Sequence, residues 1–341
     1  MAPALRTTAL SIMVAMLGAC GSGGGGGGTT LAPAGGTPPP APNGGNPPPA
    51  AENQQPAAGN PPAQGAPRVD VPFTQFSMVL PNTNVNMAGT GTSVSGTHKS
   101  NGPVTSIDLE VISGPANLAL GFDGQRTLSA LTLNSPETGN VLFDRAAGHS
   151  ISCPLNAFCT ASNHATASAV VADAFANGWN YQTFGAWATA TGPTSLVLSA
   201  MSAGNITPGS AVPTTGVVTF GGVAAGYFID PAGTQFSTQA RLSAQVDFQN
   251  RAIGFRTTDT EMAKGNTNRF SENATLNLSG TLSWAPGQNA FGGPVKSGNP
   301  ALNGEASGRF YGPKAEEMGG TYNLTGGGVS RMVGGFGGKQ Q

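Results

Sequence analysis

Residues 309–322 read RFYGPKAEEMGGTY, and this stretch decides how the rest of the chain is interpreted. An alternating pattern predicts a strand that ends at Phe310–Tyr311. Gly312–Pro313 interrupts the strand because proline lacks the N–H of a sheet ladder, and a proline suits the first position of a helical turn over Lys314–Met318. The pair Gly319–Gly320 is expected to end that turn and let a new strand begin. The stretch therefore predicts two strands joined by a compact connection.

The two-residue period recurs upstream of this stretch. In Thr275–Trp284 the apolar side chains of Leu276, Leu278, Leu282 and Trp284 alternate with polar ones, and Arg241–Phe248 repeats the pattern. Period two with one apolar face is typical of an antiparallel sheet that has one side in a core. Further candidate strands are Tyr181–Ala188, Ser195–Ser202, Gly216–Phe220, Ala225–Asp230, Arg251–Thr257 and Gly304–Tyr311. About eight strands at hairpin spacing predict a small antiparallel up-and-down β-barrel over residues 178–341.

Residues 69–177 predict a β-rich, handle-like domain with a less regular pattern. Short apolar runs at Phe73–Leu80, Ile107–Ile112 and Arg126–Leu133 predict strands, because Gly, Pro, Asn and Ser separate them. An alanine-rich segment, Ala165–Ala176, predicts one helix that connects this domain to the barrel. The predicted fold class is therefore all-β.

The N-terminus predicts export and a lipid anchor. Arg6 precedes an apolar run over Leu10–Leu17, which is too short to span a bilayer and indicates a signal peptide over residues 1–19. The run leads into LGAC, which resembles the bacterial lipoprotein cleavage box, so Cys20 is the predicted lipidation site. An ordinary secretory signal with an incidental cysteine is the alternative. Gly21 stands where an inner-membrane retention signal would place Asp, which favours the outer membrane.

Residues 20–68 predict a disordered tether, because they are rich in Gly and Pro and offer few large apolar side chains to bury. A coil of this length spans about 35–40 Å. A transmembrane barrel would also alternate, with its apolar face outward. A lipid anchor would then be redundant, so we favour a barrel with its apolar side chains inside.

Composition and cysteine usage narrow the function. Charged residues make up 9% of the chain and the formal net charge is −1, which argues against nucleic acid or an anionic membrane surface as the main partner. Besides Cys20, the chain has Cys153 and Cys159, and a disulfide formed after export is their simplest use. A redox or metal site is the alternative reading of this pair.

Four segments resemble the β-barrel domain of the transferrin-binding protein B family of bacterial surface lipoproteins. They are the stretch already quoted, Pro213–Gly222, Tyr181–Trp187 and Val333–Gln341, and the resemblance covers roughly Asn180–Gln341. Within the quoted stretch, the family motif consists of the structural residues Phe310, Tyr311, Gly312, Pro313, Glu316, Glu317, Gly319 and Gly320. For residues 69–177 the handle domain of the family is inferred only from position and size.

The resemblance implies a non-enzymatic lipoprotein on the cell exterior that works beside a TonB-dependent receptor. It implies capture of a host protein, metal or haem for uptake. The chain has room for one lobe, whereas transferrin-binding protein B has two, so transferrin is not the predicted ligand. Haem is a possible cofactor, with His98, His149, His164 or Tyr227 as axial ligand. A structural or adhesive envelope lipoprotein without a small ligand is the alternative function.

The chain offers little that suggests catalysis. Glu316 and Glu317 could in principle act as acid and base, but the sequence places no nucleophile or histidine beside them, so a structural role is favoured. We find no nucleophile elbow and no phosphate-binding loop. Binding is therefore expected at surface loops, of which Glu261–Glu272 and Ala285–Asn303 are the longest candidates in the barrel half.

Overall fold

The computed structural model describes residues 67–100, 102–154, 157–264, 270–298 and 301–341. The predicted signal peptide, Cys20 and the tether up to residue 66 lie outside the described residues. No helix in the described part is both long and apolar enough to cross a membrane. The described chain is built from two β-sheets, which confirms the all-β prediction.

The first sheet has eleven strands. Its central path runs β6-β5-β4-β2-β11-β10-β9-β8-β7, and β1 and β3 both pair with β2 beside that path. The strands are β1 (Val69–Pro72), β2 (Thr83–His98), β3 (Val104–Ile107), β4 (Ile112–Phe122), β5 (Leu128–Ser135), β6 (Gly139–Asp144), β7 (Ser150–Ser152), β8 (Phe158–Ser162), β9 (Ala167–Ala172), β10 (Gln182–Ala190) and β11 (Ser195–Gly204). One short helix, α1 (Ala174–Asn177), follows β9, and 3-10 turns span Phe76–Met78 and Arg145–Ala147.

The second sheet closes into a barrel. Eight of its strands run antiparallel to their neighbours, and β12 pairs with β20 to complete the cylinder, while β15 adds to β14 outside this circuit. The strands are β12 (Val217–Ile229), β13 (Gln235–Asp247), β14 (Ala252–Lys264), β15 (Ser271–Glu272), β16 (Ser279–Trp284), β17 (Ala290–Lys296), β18 (Asn303–Tyr311), β19 (Glu317–Thr325) and β20 (Arg331–Gln340). Further 3-10 turns span Gly209–Ala211 and Ala274–Leu276. The predicted barrel of about eight strands is confirmed.

Aromatic side chains fill the inside of the barrel. The Phe310 ring lies 5.1 Å from Phe291, 5.2 Å from Trp284, 5.7 Å from Phe248 and 6.2 Å from Phe220, measured between ring centroids. These rings belong to one buried cluster, which also contains the leucines of the alternating Thr275–Trp284 segment. The prediction that the apolar face points inward is therefore confirmed.

The barrel wall and the first sheet share a second core. On β12, side chains at alternate positions point outward, and Ala225, Tyr227 and Ile229 join the buried cluster of the first sheet. On β20 the outward positions are partly glycine. A Cβ on Gly335 would lie 2.5 Å from the Phe184 ring of β10, so only glycine lets the two layers approach this closely.

Two strands that we predicted for the barrel belong to the first sheet. Tyr181–Ala188 and Ser195–Ser202 correspond to β10 and β11, which pair with each other and with β9 and β2. They are real strands, but their inner positions are buried on both faces because they lie between their own sheet and the barrel wall. The change of sheet falls between β11 and β12, whereas the domain boundaries at 177 and 178 remain predictions.

Several segments of the first sheet differ from the elements predicted for them. The predicted helix Ala165–Ala176 is wrong, because its centre is strand β9, whose six residues are all buried, and only α1 is helical. Phe73–Leu80 contains a 3-10 turn instead of a strand, and most of Ile107–Ile112 is the connection from β3 to β4. Arg126–Leu133 is confirmed as a strand, since it overlaps β5. Arg68, assigned to the tether, instead forms an ion pair of 2.9 Å with Asp144.

Candidate functional site

The family stretch forms the connection from β18 to β19. Tyr311 ends β18, and Gly312 adopts a φ of +86°, which begins a turn over residues 312–315. The prediction that Gly319–Gly320 ends the turn is wrong, since β19 already begins at Glu317. The glycines are needed inside the strand instead. A Cβ on Gly319 would lie 2.7 Å from Oε1 of Gln182 and 2.8 Å from Oγ of Ser202, both in the first sheet.

Glu317 joins the barrel to the first sheet. Its side chain is 3% exposed, and its carboxylate accepts hydrogen bonds from the backbone N–H groups of Asn180 (2.5 Å), Tyr181 (2.9 Å) and Gln182 (3.1 Å), which lead into β10. Burial raises the pKa of Glu317 to about 7, although the three N–H donors and Lys339 oppose the shift. The Glu317 carboxylate is thus hydrogen-bonded to the backbone of the segment that enters the first sheet.

Glu316 lies apart from this contact. It is partly exposed, and its Oε2 accepts a hydrogen bond of 2.8 Å from the backbone N–H of Lys314 inside the turn. The two adjacent carboxylates therefore serve different neighbours, Glu316 its own turn and Glu317 the first sheet. This geometry suits the structural role predicted for the pair, because acid–base chemistry requires carboxylates that face a common substrate.

The residues considered as haem ligands lie apart from one another, and each makes a polar contact within the chain. The Tyr227 hydroxyl donates to the backbone oxygen of Ser168 at 3.1 Å, and burial raises the pKa of Tyr227 to about 12. His149 Nδ1 accepts from the N–H of Asp144, His164 Nε2 lies 3.0 Å from Ser150 Oγ, and His98 Nδ1 lies 2.8 Å from the Lys99 oxygen. The structure does not bring Tyr227 out to an open surface.

Cys153 and Cys159 form the predicted disulfide. Together with Asp173 they make the one group of described residues whose ligand atoms lie close enough to share a metal ion. Both sulfurs are bonded to each other in the disulfide and cannot act as thiolate ligands. The Asp173 carboxylate is then the one ligand that this group offers to a metal ion. The bond ties the end of β7 to β8 at the margin of the first sheet.

The two segments predicted as binding loops are partly strands. Glu261–Glu272 contains the end of β14 and all of β15, and Ala285–Asn303 contains β17, so the prediction of long loops is wrong. The strand β17 was not recognised from the sequence because Gly292, Gly293 and Pro294 interrupt the alternation of apolar and polar side chains.

A groove of about 600 Å³ lies beside these segments on the barrel. It runs over β14, the approach to β16 and the end of β17. Polar and basic side chains line it, among them Arg256, Asn277, Ser279, Lys296 and Ser297. Ser279 pairs with Arg256 on one side and with Lys296 on the other, so these three residues stand in one row across three strands. Arg251–Thr257 was predicted as a strand, but the register that aligns Arg256 with Lys296 could not be predicted from the sequence.

Comparison with known proteins identifies the barrel. The family described as the C-lobe and N-lobe β-barrels of Tf-binding protein B matches residues 212–340. No curated protein matches the chain. Solved structures that resemble it include a point mutant of transferrin-binding protein B from Haemophilus parasuis Hp5, with 13% identity, 75% of this chain and 76% of that chain covered, and a TM-score of 0.39.

Two further solved structures come from other bacteria. Isotype 1 transferrin-binding protein B from serogroup B Neisseria meningitidis has 15% identity, covers 77% of each chain and gives a TM-score of 0.37. The N-lobe domain of lactoferrin-binding protein B from Moraxella bovis has 13% identity, covers 73% of this chain and 99% of that chain, and gives a TM-score of 0.35. Residues 212–340 of this chain therefore match the β-barrel domain of the transferrin-binding protein B family.

Proposed function

We propose that the protein is a surface-exposed outer-membrane lipoprotein that captures a host protein without catalysing a reaction. The observation that carries this proposal is the family match over residues 212–340, since that family is named for the binding of a protein. In this proposal residues 1–19 are the signal peptide, Cys20 carries the lipid, and residues 20–68 hold the folded part away from the membrane.

The filled barrel supports binding on the outside of the molecule. The clustered rings around Phe310 occupy the interior, so a ligand has no lumen to enter. Ligand contact then falls to the outer wall and the connections between strands, where the groove beside Arg256 and Lys296 lies. Tyr227 does not favour haem, because its hydroxyl is buried and donates a hydrogen bond to the backbone oxygen of Ser168.

Retention from serum tests the capture role. The mature protein, biotinylated at its N-terminus and immobilised, is incubated with host serum and, separately, with haem in solution. We expect one or a few serum proteins to be retained specifically and no Soret band to develop on the protein with haem. No specific retention from serum would instead favour a structural or adhesive envelope role.

Anchoring and display need a separate test. We expect metabolic labelling with palmitate to mark the full-length chain and to be lost in Cys20→Ala. We also expect proteinase K added to intact cells to remove the folded part. Labelling of Cys20→Ala, or complete protection in intact cells, would contradict the lipidated, outward-facing arrangement. A TonB-dependent receptor is the proposed recipient of the cargo, and co-purification with such a receptor would test that step.

A further inference from the structure

We propose that the groove beside Arg256 and Lys296 binds an acidic peptide segment of the captured protein. This inference rests on the proposed capture function and names the chemistry of the bound surface.

Strand register places the two cations on one surface. Phe255 points into the barrel core, so the neighbouring Arg256 points outward. Arg256 and Lys296 each stand opposite Ser279, and both are exposed. Neighbouring strands lie about 4.8 Å apart, so the two backbones are separated by roughly 10 Å. Two carboxylates of one extended segment can reach both cations at once.

Among the residues that the structure describes, no acidic side chain forms an ion pair with these cations. The ion pairs between described residues are Arg68–Asp144 and Arg241–Asp259, and neither involves Arg256 or Lys296. Glu261, on the same strand as Arg256, accepts a hydrogen bond of 2.6 Å from Gln239 instead. The neighbouring sequence segments 265–269 and 299–300 read GNTNR and NP and contain no carboxylate. The groove therefore carries two positive charges, those of Arg256 and Lys296, that form no ion pair with a described residue.

The lining fits a peptide better than an inorganic ion. A volume of about 600 Å³ lies in the range typical of ligand clefts and far exceeds one phosphate or sulfate. Asn277 uses its Oδ1 to accept from the N–H of Thr260, which leaves its amide N–H groups as donors. Ala274 and Ala301 add small apolar surface. Arginine binds a carboxylate in two-pronged fashion, and lysine adds a point charge.

A polyanion is a poorer match for the same surface. Nucleic acids and sulfated glycans are bound by long basic stripes that contact many anionic groups. This chain has a formal net charge of −1, and the groove offers two cations. A short segment with a few carboxylates matches that number.

The test uses a charge-matched pair of double variants of the mature protein. Arg256→Gln/Lys296→Gln removes both cations of the groove. Lys99→Gln/Lys314→Gln removes two exposed cations that do not line the groove, and serves as the control. Circular dichroism melts establish that both variants fold. Fluorescence anisotropy then measures binding of a labelled peptide in which Glu alternates with Ser, of the same peptide with Gln, and of a short heparin fragment.

We expect the Glu peptide to bind the unmodified protein and the control variant, and to bind the groove variant at least tenfold more weakly. We expect the Gln peptide to bind none of them, and raised salt to weaken the Glu peptide. Equal binding of the Glu peptide to all three proteins, or binding of the heparin fragment alone, would overturn the inference. Serum retention that is unchanged in the groove variant would overturn it too, whereas failure of all retention would contradict the proposed function itself.

Discussion

The barrel and the first sheet are both antiparallel for the most part, yet they are built in different ways. Strands of the barrel follow one another around the cylinder, and each has one face in the aromatic core and one face outward. In the first sheet, β2 lies between β4 and β11, two strands that are far apart in the sequence. The strands β9, β10 and β11 are largely buried on both faces. The difference shows that a two-residue period reveals burial only where one face meets solvent.

The largest expected effect is Phe310→Ala in the barrel core. Phe310 is fully buried and contacts four aromatic rings, so truncation removes buried area, leaves a cavity and breaks several ring pairs. We expect the free energy of unfolding to fall by about 4–5 kcal/mol, measured by urea denaturation. The matched change in the first sheet is Phe143→Ala, also fully buried.

Phe143→Ala is expected to cost about 3 kcal/mol, because the residue lacks such a cluster of rings among its described contacts. The comparison would fail if Phe143→Ala were as costly as Phe310→Ala or costlier. That result would mean that ring packing does not distinguish the two cores.

This contrast explains how far the sequence could predict the fold. Leu276, Leu278, Leu282 and Trp284 were assigned correctly to a core, because polar residues alternate with them. β10 and β11 were recognised as strands, but no local pattern states which sheet a strand joins. The helix predicted at Ala165–Ala176 failed because six consecutive buried residues have no period, and alanine favours helices in isolation.

The candidate site was the least predictable part. The family motif drew attention to Glu317, but its three N–H partners lie about 135 positions earlier in the chain, where only the tertiary fold brings them near. The row of Arg256, Ser279 and Lys296 likewise depends on register across three strands. Long-range pairings of this kind leave no trace in local composition.

Glu317 gives the next largest effect, and its sign depends on pH. The folded pKa of about 7 lies above the ordinary value, so the folded state binds the proton more tightly than the unfolded chain does. Stability is therefore greatest below about pH 4.5 for this group, and it is lost as pH rises through 7. The full contribution is up to about 3 kcal/mol.

Urea denaturation between pH 4 and pH 8 measures this contribution as the difference between the unmodified protein and Glu317→Gln. We expect the fall in stability with rising pH to be steeper with Glu317 than with Gln, and Glu316→Gln to leave it unchanged. Identical pH profiles for the unmodified protein and Glu317→Gln would show that Glu317 titrates as it does in an unfolded chain.

The disulfide tests the margin of the first sheet. Cys153 and Cys159 are separated by six positions, and closing so short a loop stabilises the fold by about 2.3 kcal/mol in the chain-entropy treatment. We expect the Cys153→Ser/Cys159→Ser variant to unfold at a correspondingly lower urea concentration. Adding reductant should lower the stability of the unmodified protein and leave that of the variant unchanged. A variant as stable as the oxidised protein would show that β7 and β8 hold together without the bond.

Gly335→Ala probes the seam between the two sheets and has the smallest expected cost of the four, about 2 kcal/mol from overpacking. The new Cβ would meet the ring of Phe184 at 2.5 Å, and that ring is fully buried. Gly254→Ala is the matched control on the barrel, because its Cβ would meet no atom closer than 3.9 Å. If the seam is tight, Phe184→Ala/Gly335→Ala should cost at least 1 kcal/mol less than the sum of the single changes. Strict additivity would mean that the layers move apart freely, and that the first sheet and barrel are less firmly joined than Glu317 and Tyr227 suggest.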